Sequence, residues 1–279
     1  MKLIRFEHQH RIGVGVLQDG HVYDAGQHLG VSRIAELLTP EGRGQAATLT
    51  QGAPDYLLDN VRLLEPCDPT ARLFCIGINY PLHAAETGRP MPARPSSFIR
   101  TQQSIVPPGA PLVRPSVSAQ FDYEGELAVV IGVAGRHIAK ADALSHVAGY
   151  TCFNDGSVRD YQQFAVTAGK NFERSGSCGP WIMTADAIPD PSRLTLVTRL
   201  NGTEVQRSGT DVMIYSIPFL VSYLSEITTL LPGDLIATGT PGGVGSRRVP
   251  PLWMKAGDRV EVEISEIGIL SNPVVDEAA

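Results

Sequence analysis

The run Asp122-Tyr123-Glu124-Gly125-Glu126-Leu127-Ala128-Val129-Val130-Ile131 decides how this chain is read. Uninterrupted apolar residues over 127–131 follow two acidic ones. Such a run, bounded by turn signals, predicts a strand buried on both faces. Residues two apart on a strand share a face, so Glu124 and Glu126 would point the same way at its edge. Two carboxylates on one face repel unless a cation or a proton sits between them. Spacing alone favours a solvated strand face, because Glu261 and Glu263 repeat the pattern.

Moving outward, an apolar strand over 147–153 runs into Asn154-Asp155-Gly156, ahead of a helix expected over 158–166. Asp155 reads as a helix N-cap or as a third carboxylate for a hard cation. Upstream, a strand over 72–76 leads to Asn79-Tyr80-Pro81-Leu82-His83-Ala84-Ala85-Glu86, which opens a proline-rich stretch. Residues 80–97 are expected to be a long loop, and the part from about 81 to 97 a lid. His83 and Glu86 become neighbours on a helical turn. A carboxylate beside an imidazole fixes its tautomer, and a plain surface ion pair is the alternative. Downstream lie Gly169-Lys170 and the turn Thr238-Gly239-Thr240-Pro241-Gly242-Gly243, whose backbone N–H groups can hold a carboxylate.

The flanks complete a β-rich α+β reading rather than a doubly wound one. Strands are expected over 2–6, 12–16 and 20–23, and a helix over 32–38 capped by Ser32. Residues 42–52 look polar and turn-rich, and Pro66 and Pro69 bracket a linker. This gives a small N-terminal α+β domain, 1–66, and a catalytic domain, 67–279. A short helix is expected over 141–147, an Asn201-Gly202 hairpin, a helix over 217–230, and a strand over 259–264.

Composition narrows the function. Of 279 residues, 43% are hydrophobic, and the net charge is −6 with no long basic stretch. A protein that tracks phosphates needs a dense cationic surface, so no nucleic-acid partner is expected. No apolar run approaches the length of about 20 residues that crosses a bilayer. Lys2, Arg5 and Glu7 stand where a signal peptide would be apolar, so a cytoplasmic location is expected. Cys67, Cys75, Cys152 and Cys178 lack CxxC spacing and read as free, buried thiols. No GxSxG, HExxH, Walker A or GxGxxG motif is present, which weakens serine hydrolase, zinc protease and nucleotide-binding readings.

Taken in order, the segments are more specific than any one of them. Cys75–Tyr80 with His83 and Glu86, Tyr123–Leu127, Gly149-Tyr150 and Asn154-Asp155 come first. Arg159-Asp160, Gln162, Gly169-Lys170, Gly179-Pro180-Trp181, Asn201-Gly202, Pro232-Gly233-Asp234, Thr238–Gly243 and Gly257-Asp258 follow. From about Leu73 to Val274 this series resembles the fumarylacetoacetate hydrolase family. The resemblance implies a mixed β-sandwich roll, a divalent ion and a homodimer. It makes Glu124, Glu126 and Asp155 the metal ligands. All-oxygen ligation suits Mg²⁺ or Mn²⁺, with Ca²⁺ as a third candidate. It makes His83 and Glu86 a water-activating dyad and Lys170 the group that neutralises developing charge. Arg100, Arg159, Gln162 and Thr240 are implied on the substrate side.

Two residues depart from the family pattern. Gly125 stands where a β-branched residue is usual, and Arg100 where lysine is common. Arg100 is expected to grip a substrate carboxylate, to pair with Glu86 when the lid closes, or to lie on the surface. The implied activity is hydrolytic C–C cleavage of a small 2-oxo acid, an acylpyruvate or other 2,4-dioxo acid, through an enolate that the ion stabilises. An oxaloacetate-type decarboxylase, an enol-dioate isomerase, or a non-catalytic metal–carboxylate binder are the alternatives.

Overall fold

The computed structural model describes residues 1–88, 90–91 and 93–278. The decisive run forms the strand Gly125–Ile131, buried along its whole length. It runs antiparallel to Val147–Asn154 on one side and to Leu235–Ala237 on the other. Leu73–Gly77 pairs in parallel with Leu235–Ala237, and Ser96–Arg100 then pairs antiparallel at that edge. On the opposite side Gly176–Thr184 follows Val147–Asn154. The N-terminal strands then continue the same sheet, with Lys2 opposite Met183 and Leu3 opposite Ile182.

Burial on both faces has a simple cause. Leu127, Val129 and Ile131 pack against Leu196, Val262, Ile264 and Leu270 of a second sheet, and against Leu220 and Leu224 of the helix Ile217–Ile227. Ala128 and Val130 belong to the opposite core, with Ile34, Leu37, Leu38 and Ala46. Each fully buried large aliphatic side chain contributes about 1.5–3 kcal/mol. The second sheet orders Thr203–Gly209, Thr195–Leu200, Arg259–Ile264, Gly268–Asp276 and Leu112–Arg114. Its hairpin turns through Asn201 and Gly202 with φ of 53° and 78°, as a type I′ turn requires. Two sheets face to face, with the helices outside, make a mixed β-sandwich. Glu261 and Glu263, which repeat the Glu-x-Glu pattern, are only half-buried here.

The local reading needs several corrections. Residues 42–52 are not a turn region: Pro40–Leu49 is a helix, with Thr39 Oγ1 accepting from Gly42 N. Ser32 is not the cap of the preceding helix, which starts at Ile34 after Arg33. The stretch 80–97 begins with a helix, Pro81–Thr87, and ends with a strand, Ser96–Arg100. Arg89 and Pro92 of the expected lid lie outside the described residues. The helix expected over 158–166 is two short ones, Arg159–Gln162 and Val166–Lys170. The segment 141–147 holds only a 3-10 turn, Ala143–His146, and the helix expected to reach 230 ends at Ile227. The four cysteines are free and buried. No helix among the described residues is long and apolar enough to cross a membrane.

Candidate active site

Strand pairing brings the three acidic residues together. Glu124 precedes the strand Gly125–Ile131, and Asp155 follows its antiparallel neighbour Val147–Asn154. Backbone bonds lock the two ends. Asp155 N donates to Glu124 O at 2.8 Å, and Glu124 N donates to Asn154 Oδ1 at 3.1 Å. One oxygen each from Glu124, Glu126 and Asp155 lie within 4.8 Å of one another. All three residues are buried, at 5%, 1% and 1% exposure. A buried carboxylate without a counter-charge costs several kcal/mol, so the cluster needs cations.

The protein supplies some of them. Lys170 Nζ donates to Glu124 Oε2 at 2.5 Å, to Asp155 Oδ2 at 2.6 Å and to Asp155 O at 2.8 Å. Arg159 Nη2 lies 2.7 Å from Glu124 Oε1, and its Nε donates to Asp122 Oδ2 at 2.8 Å. Arg100 Nη1 donates to Asp155 Oδ1 at 2.7 Å. Burial would push Glu124 up, but Lys170 and Arg159 pull it down to about 2. Glu126 goes the other way. Burial, then Asp155 and Glu124, raise it well above the usual carboxylate range. Its Oε2 accepts from Gly239 N at 2.8 Å, a neutral donor.

This imbalance tests whether a cation belongs here. Asp122, Glu124 and Asp155 pair with Lys170, Arg159 and Arg100. Glu124 and Asp155 have cationic partners, whereas Glu126 has only the neutral Gly239 N–H, so a bound cation would supply the counter-charge that Glu126 lacks. The donors are all carboxylate oxygens, the set that Mg²⁺ or Mn²⁺ prefers. The residues fit such an ion.

The dyad sits on the short helix Pro81–Thr87. Proline at its first position costs nothing, because that N–H has no helical partner. His83 Nδ1 and Glu86 Oε1 are 2.7 Å apart. Glu86 Oε2 accepts from Gly243 N at 2.8 Å. The turn after Leu235–Ala237 therefore holds Glu126 through Gly239 and Glu86 through Gly243. It fastens the dyad to the carboxylate cluster. With Nδ1 committed to Glu86, Nε2 is the ring nitrogen left to carry a proton.

The remaining expected residues divide. Arg159 and Gln162 meet at the edge of the cluster, with Arg159 Nη1 donating to Gln162 Oε1 at 3.0 Å. Thr240 is buried and its hydroxyl braces the strand Gly125–Ile131. Its hydroxyl donates to Gly125 O at 2.9 Å and accepts from Gln206 Nε2 at 2.8 Å. Arg100 is neither on the surface nor paired with Glu86: it is 2% exposed and bound to Asp155. Lys170 has all three protons on the Glu124 and Asp155 carboxylates and Asp155 O, so it acts as their counter-charge.

Sequence reasoning missed two braces. Gln206 Oε1 accepts from Gly125 N at 3.0 Å, which ties the second sheet to the ligand strand. Asp122 collects Tyr123 N, Gly245 N, Ser246 N and Arg159 Nε, and so aims Arg159 at Glu124. Gln206 lies 81 positions from its partner, and no local pattern announces that. Asp122 is quoted in the decisive run, but two of its four partners are loop amides more than 100 residues on.

Comparison with known proteins follows the same residues. Residues 72–275 match the family model described as fumarylacetoacetate (FAA) hydrolase C-terminal. The chain is 38% identical to oxaloacetate tautomerase fahd2, mitochondrial, of Xenopus laevis, across 99% of this chain and 90% of the relative. It is 41% identical to human oxaloacetate tautomerase FAHD2A, mitochondrial, across 77% and 70%. Among solved structures, maleylpyruvate hydrolase from Sphingobium sp. SYK-6, in complex with manganese(II) ion and pyruvate, aligns with a TM-score of 0.84. That alignment has 29% identity and covers 100% of both chains. The matched segment contains His83, Glu86, Glu124, Glu126, Asp155 and Lys170, so the chain belongs to the fumarylacetoacetate hydrolase family.

Proposed function

We propose that this chain is a divalent-metal-dependent enzyme that moves a proton at the carbon beside the keto group of a small 2-oxo acid, as in keto–enol tautomerisation of an oxaloacetate-like diacid. The observation that carries the reading is the turn 238–243, which holds Glu126 and Glu86 at once and so sets His83 beside the carboxylate cluster. The two tautomerase relatives support it. A bound Mg²⁺ or Mn²⁺ would supply Lewis acidity that lowers the cost of an enolate oxygen. His83 Nε2 takes or returns the proton, and Glu86 holds the ring and stabilises its charged form. Lys170, Arg159 and Arg100 are the counter-charges of Glu124 and Asp155. Gln162 offers its amide to the substrate at the edge.

Hydrolytic C–C cleavage of an acylpyruvate is the second reading. The free Nε2 of His83 favours it, since the same atom can take a proton from water. The maleylpyruvate hydrolase neighbour points the same way. We also propose that residues 1–66 form an accessory unit beside a catalytic unit over 67–279, and that the protein acts as a homodimer. A cytoplasmic location stays a proposal for this chain, while the frog and human relatives are named mitochondrial.

An ultraviolet assay of the enol band separates the chemistries, run with Mn²⁺ and with EDTA. Metal-dependent loss of the enol of oxaloacetate, with no second product, supports tautomerisation. Release of pyruvate and a carboxylic acid in equal amounts from an acylpyruvate supports hydrolysis, and release of CO₂ supports decarboxylation. Unchanged absorbance and no product from any of these acids would contradict the enzyme reading. Melting shifts with the same acids would then indicate a binding module.

A further inference from the structure

Arg100 occupies a slot shaped for a guanidinium. Its Nε donates to Ser104 Oγ at 3.1 Å. Its Nη1 donates to Asp155 Oδ1 at 2.7 Å and Gly156 O at 2.9 Å. Its Nη2 donates to Ser104 O at 3.0 Å and Ser175 Oγ at 2.8 Å. All five guanidinium protons are therefore used inside the protein. Both serine hydroxyls have already given their protons away, Ser104 to Thr101 O and Ser175 to Phe172 O, each at 2.7 Å. They can only accept, which suits a donor-only partner. The slot also needs Gly176, where a Cβ would stand 2.7 Å from Arg100 Nη2. A lysine has three protons for these five acceptors.

The consequence falls on Asp155. Arg100 takes Oδ1, so Oδ2 is the oxygen turned to Lys170, 2.6 Å away, whose Nζ also donates to Glu124 Oε2. We propose that Arg100 is a positioning residue that makes Asp155 a one-oxygen ligand and so biases the site toward Mg²⁺ and Mn²⁺ over Ca²⁺. The inference rests on the reading of the acidic cluster as a divalent-ion site. Ca²⁺ takes more oxygens and uses bidentate carboxylates readily, whereas Mg²⁺ keeps a tight six-oxygen shell. Chelation through both Asp155 oxygens would make Oδ1 share its lone pairs between the ion and the buried Arg100 guanidinium, which weakens that charged hydrogen bond.

The test is calorimetric titration of Mn²⁺ and of Ca²⁺ into the wild-type protein, Arg100→Lys and Arg100→Met, with thermal melting of each. The wild type should bind Mn²⁺ more tightly than Ca²⁺. Arg100→Met should weaken Mn²⁺ binding by about tenfold or more, the range for a residue that orients a ligand. Its Ca²⁺ affinity should fall less, so the Mn²⁺/Ca²⁺ ratio narrows. Arg100→Lys, which keeps one donor for Oδ1, should narrow the ratio by a smaller factor. A merely structural role would weaken both ions alike, and an unchanged ratio in both variants overturns the proposal. If Arg100→Met does not fold, an unchanged ratio in Arg100→Lys overturns it alone. A wild type that binds neither ion overturns the cation site itself, and this inference with it.

Discussion

At the floor of the site, Glu124, Glu126 and Asp155 hang from two adjacent central strands, whereas at its rim His83 hangs from a seven-residue helix whose Leu82 is 71% exposed. The floor is braced by backbone pairing and by buried charged hydrogen bonds from Lys170, Arg159 and Arg100. The rim is fastened to it mainly through Glu86 and Gly243. Next to Gln162 the rim carries Phe164 at 84% exposure. The difference is one of support: a paired sheet under the floor, and a short helix under the rim. On the proposed function the floor would hold an ion, which needs fixed oxygens, and the sheet fixes them. On the same reading the short helix would supply the base that moves the proton, His83, which is itself 6% exposed.

The largest expected effect is at the floor. Glu126→Ala should weaken Mn²⁺ binding by more than about 100-fold and leave the fold intact, by calorimetry and circular dichroism. A change of that size matches loss of a direct charged ligand in a buried site. Glu126 also predicts how the metal-free protein responds to pH. Its carboxyl is raised in the folded state, chiefly by burial and then by Asp155 and Glu124. That contribution to stability is complete below the unfolded value of about 4.3 and is lost as pH rises through the folded value. In EDTA, the wild type should therefore lose stability toward neutral pH, and Glu126→Gln should lose less. Urea unfolding at a series of pH values checks this, and a wild-type slope matched by Glu126→Gln would break the argument.

A smaller effect is expected where the floor meets the second sheet. A Cβ on Gly125 would stand 2.0 Å from Thr198 Oγ1. Gly125→Val should destabilise by about 1–3 kcal/mol, the usual cost of overpacking. Thr198 Oγ1 is buried with no hydrogen-bond partner, so its removal costs little. Adding Thr198→Ala should then restore most of the loss in denaturant unfolding. A Gly125→Val protein as stable as wild type would show that this contact does not set the packing.

The smallest effect belongs to the rim. Phe164→Ser should change stability by no more than about 0.5 kcal/mol, since the ring is already in water. A larger drop in melting temperature would mean that this segment packs like the floor.

The same contrast governs what could be read from the chain. The strand Gly125–Ile131 was legible because five apolar residues in a row leave few other solutions. The Asn201-Gly202 turn was legible because its backbone demands those residue types. The helix Pro40–Leu49 was hidden by Gly42 and Gly44, which lower helix propensity, while Thr39 and Pro40 supply its start. The helix Pro81–Thr87 was hidden by the proline count of the stretch around it. At the site, the acidic residues and the dyad could be named in sequence. What they touch could not. Arg100 meets Asp155 across 55 positions, and Gln206 meets Gly125 across 81. Gln206 reaches Gly125 from the second sheet and Arg100 reaches Asp155 from the edge strand of the first, so only tertiary packing brings those pairs together.

The central claim is that the floor holds the ion and the rim moves the proton. One His83→Ala preparation tests it, by Mn²⁺ calorimetry and by the rate of enol loss from oxaloacetate. The account predicts an Mn²⁺ affinity equal to wild type and a rate lower by about 100-fold or more, the usual share of a general base. A wild-type rate, or an ion affinity that falls together with the rate, would contradict it.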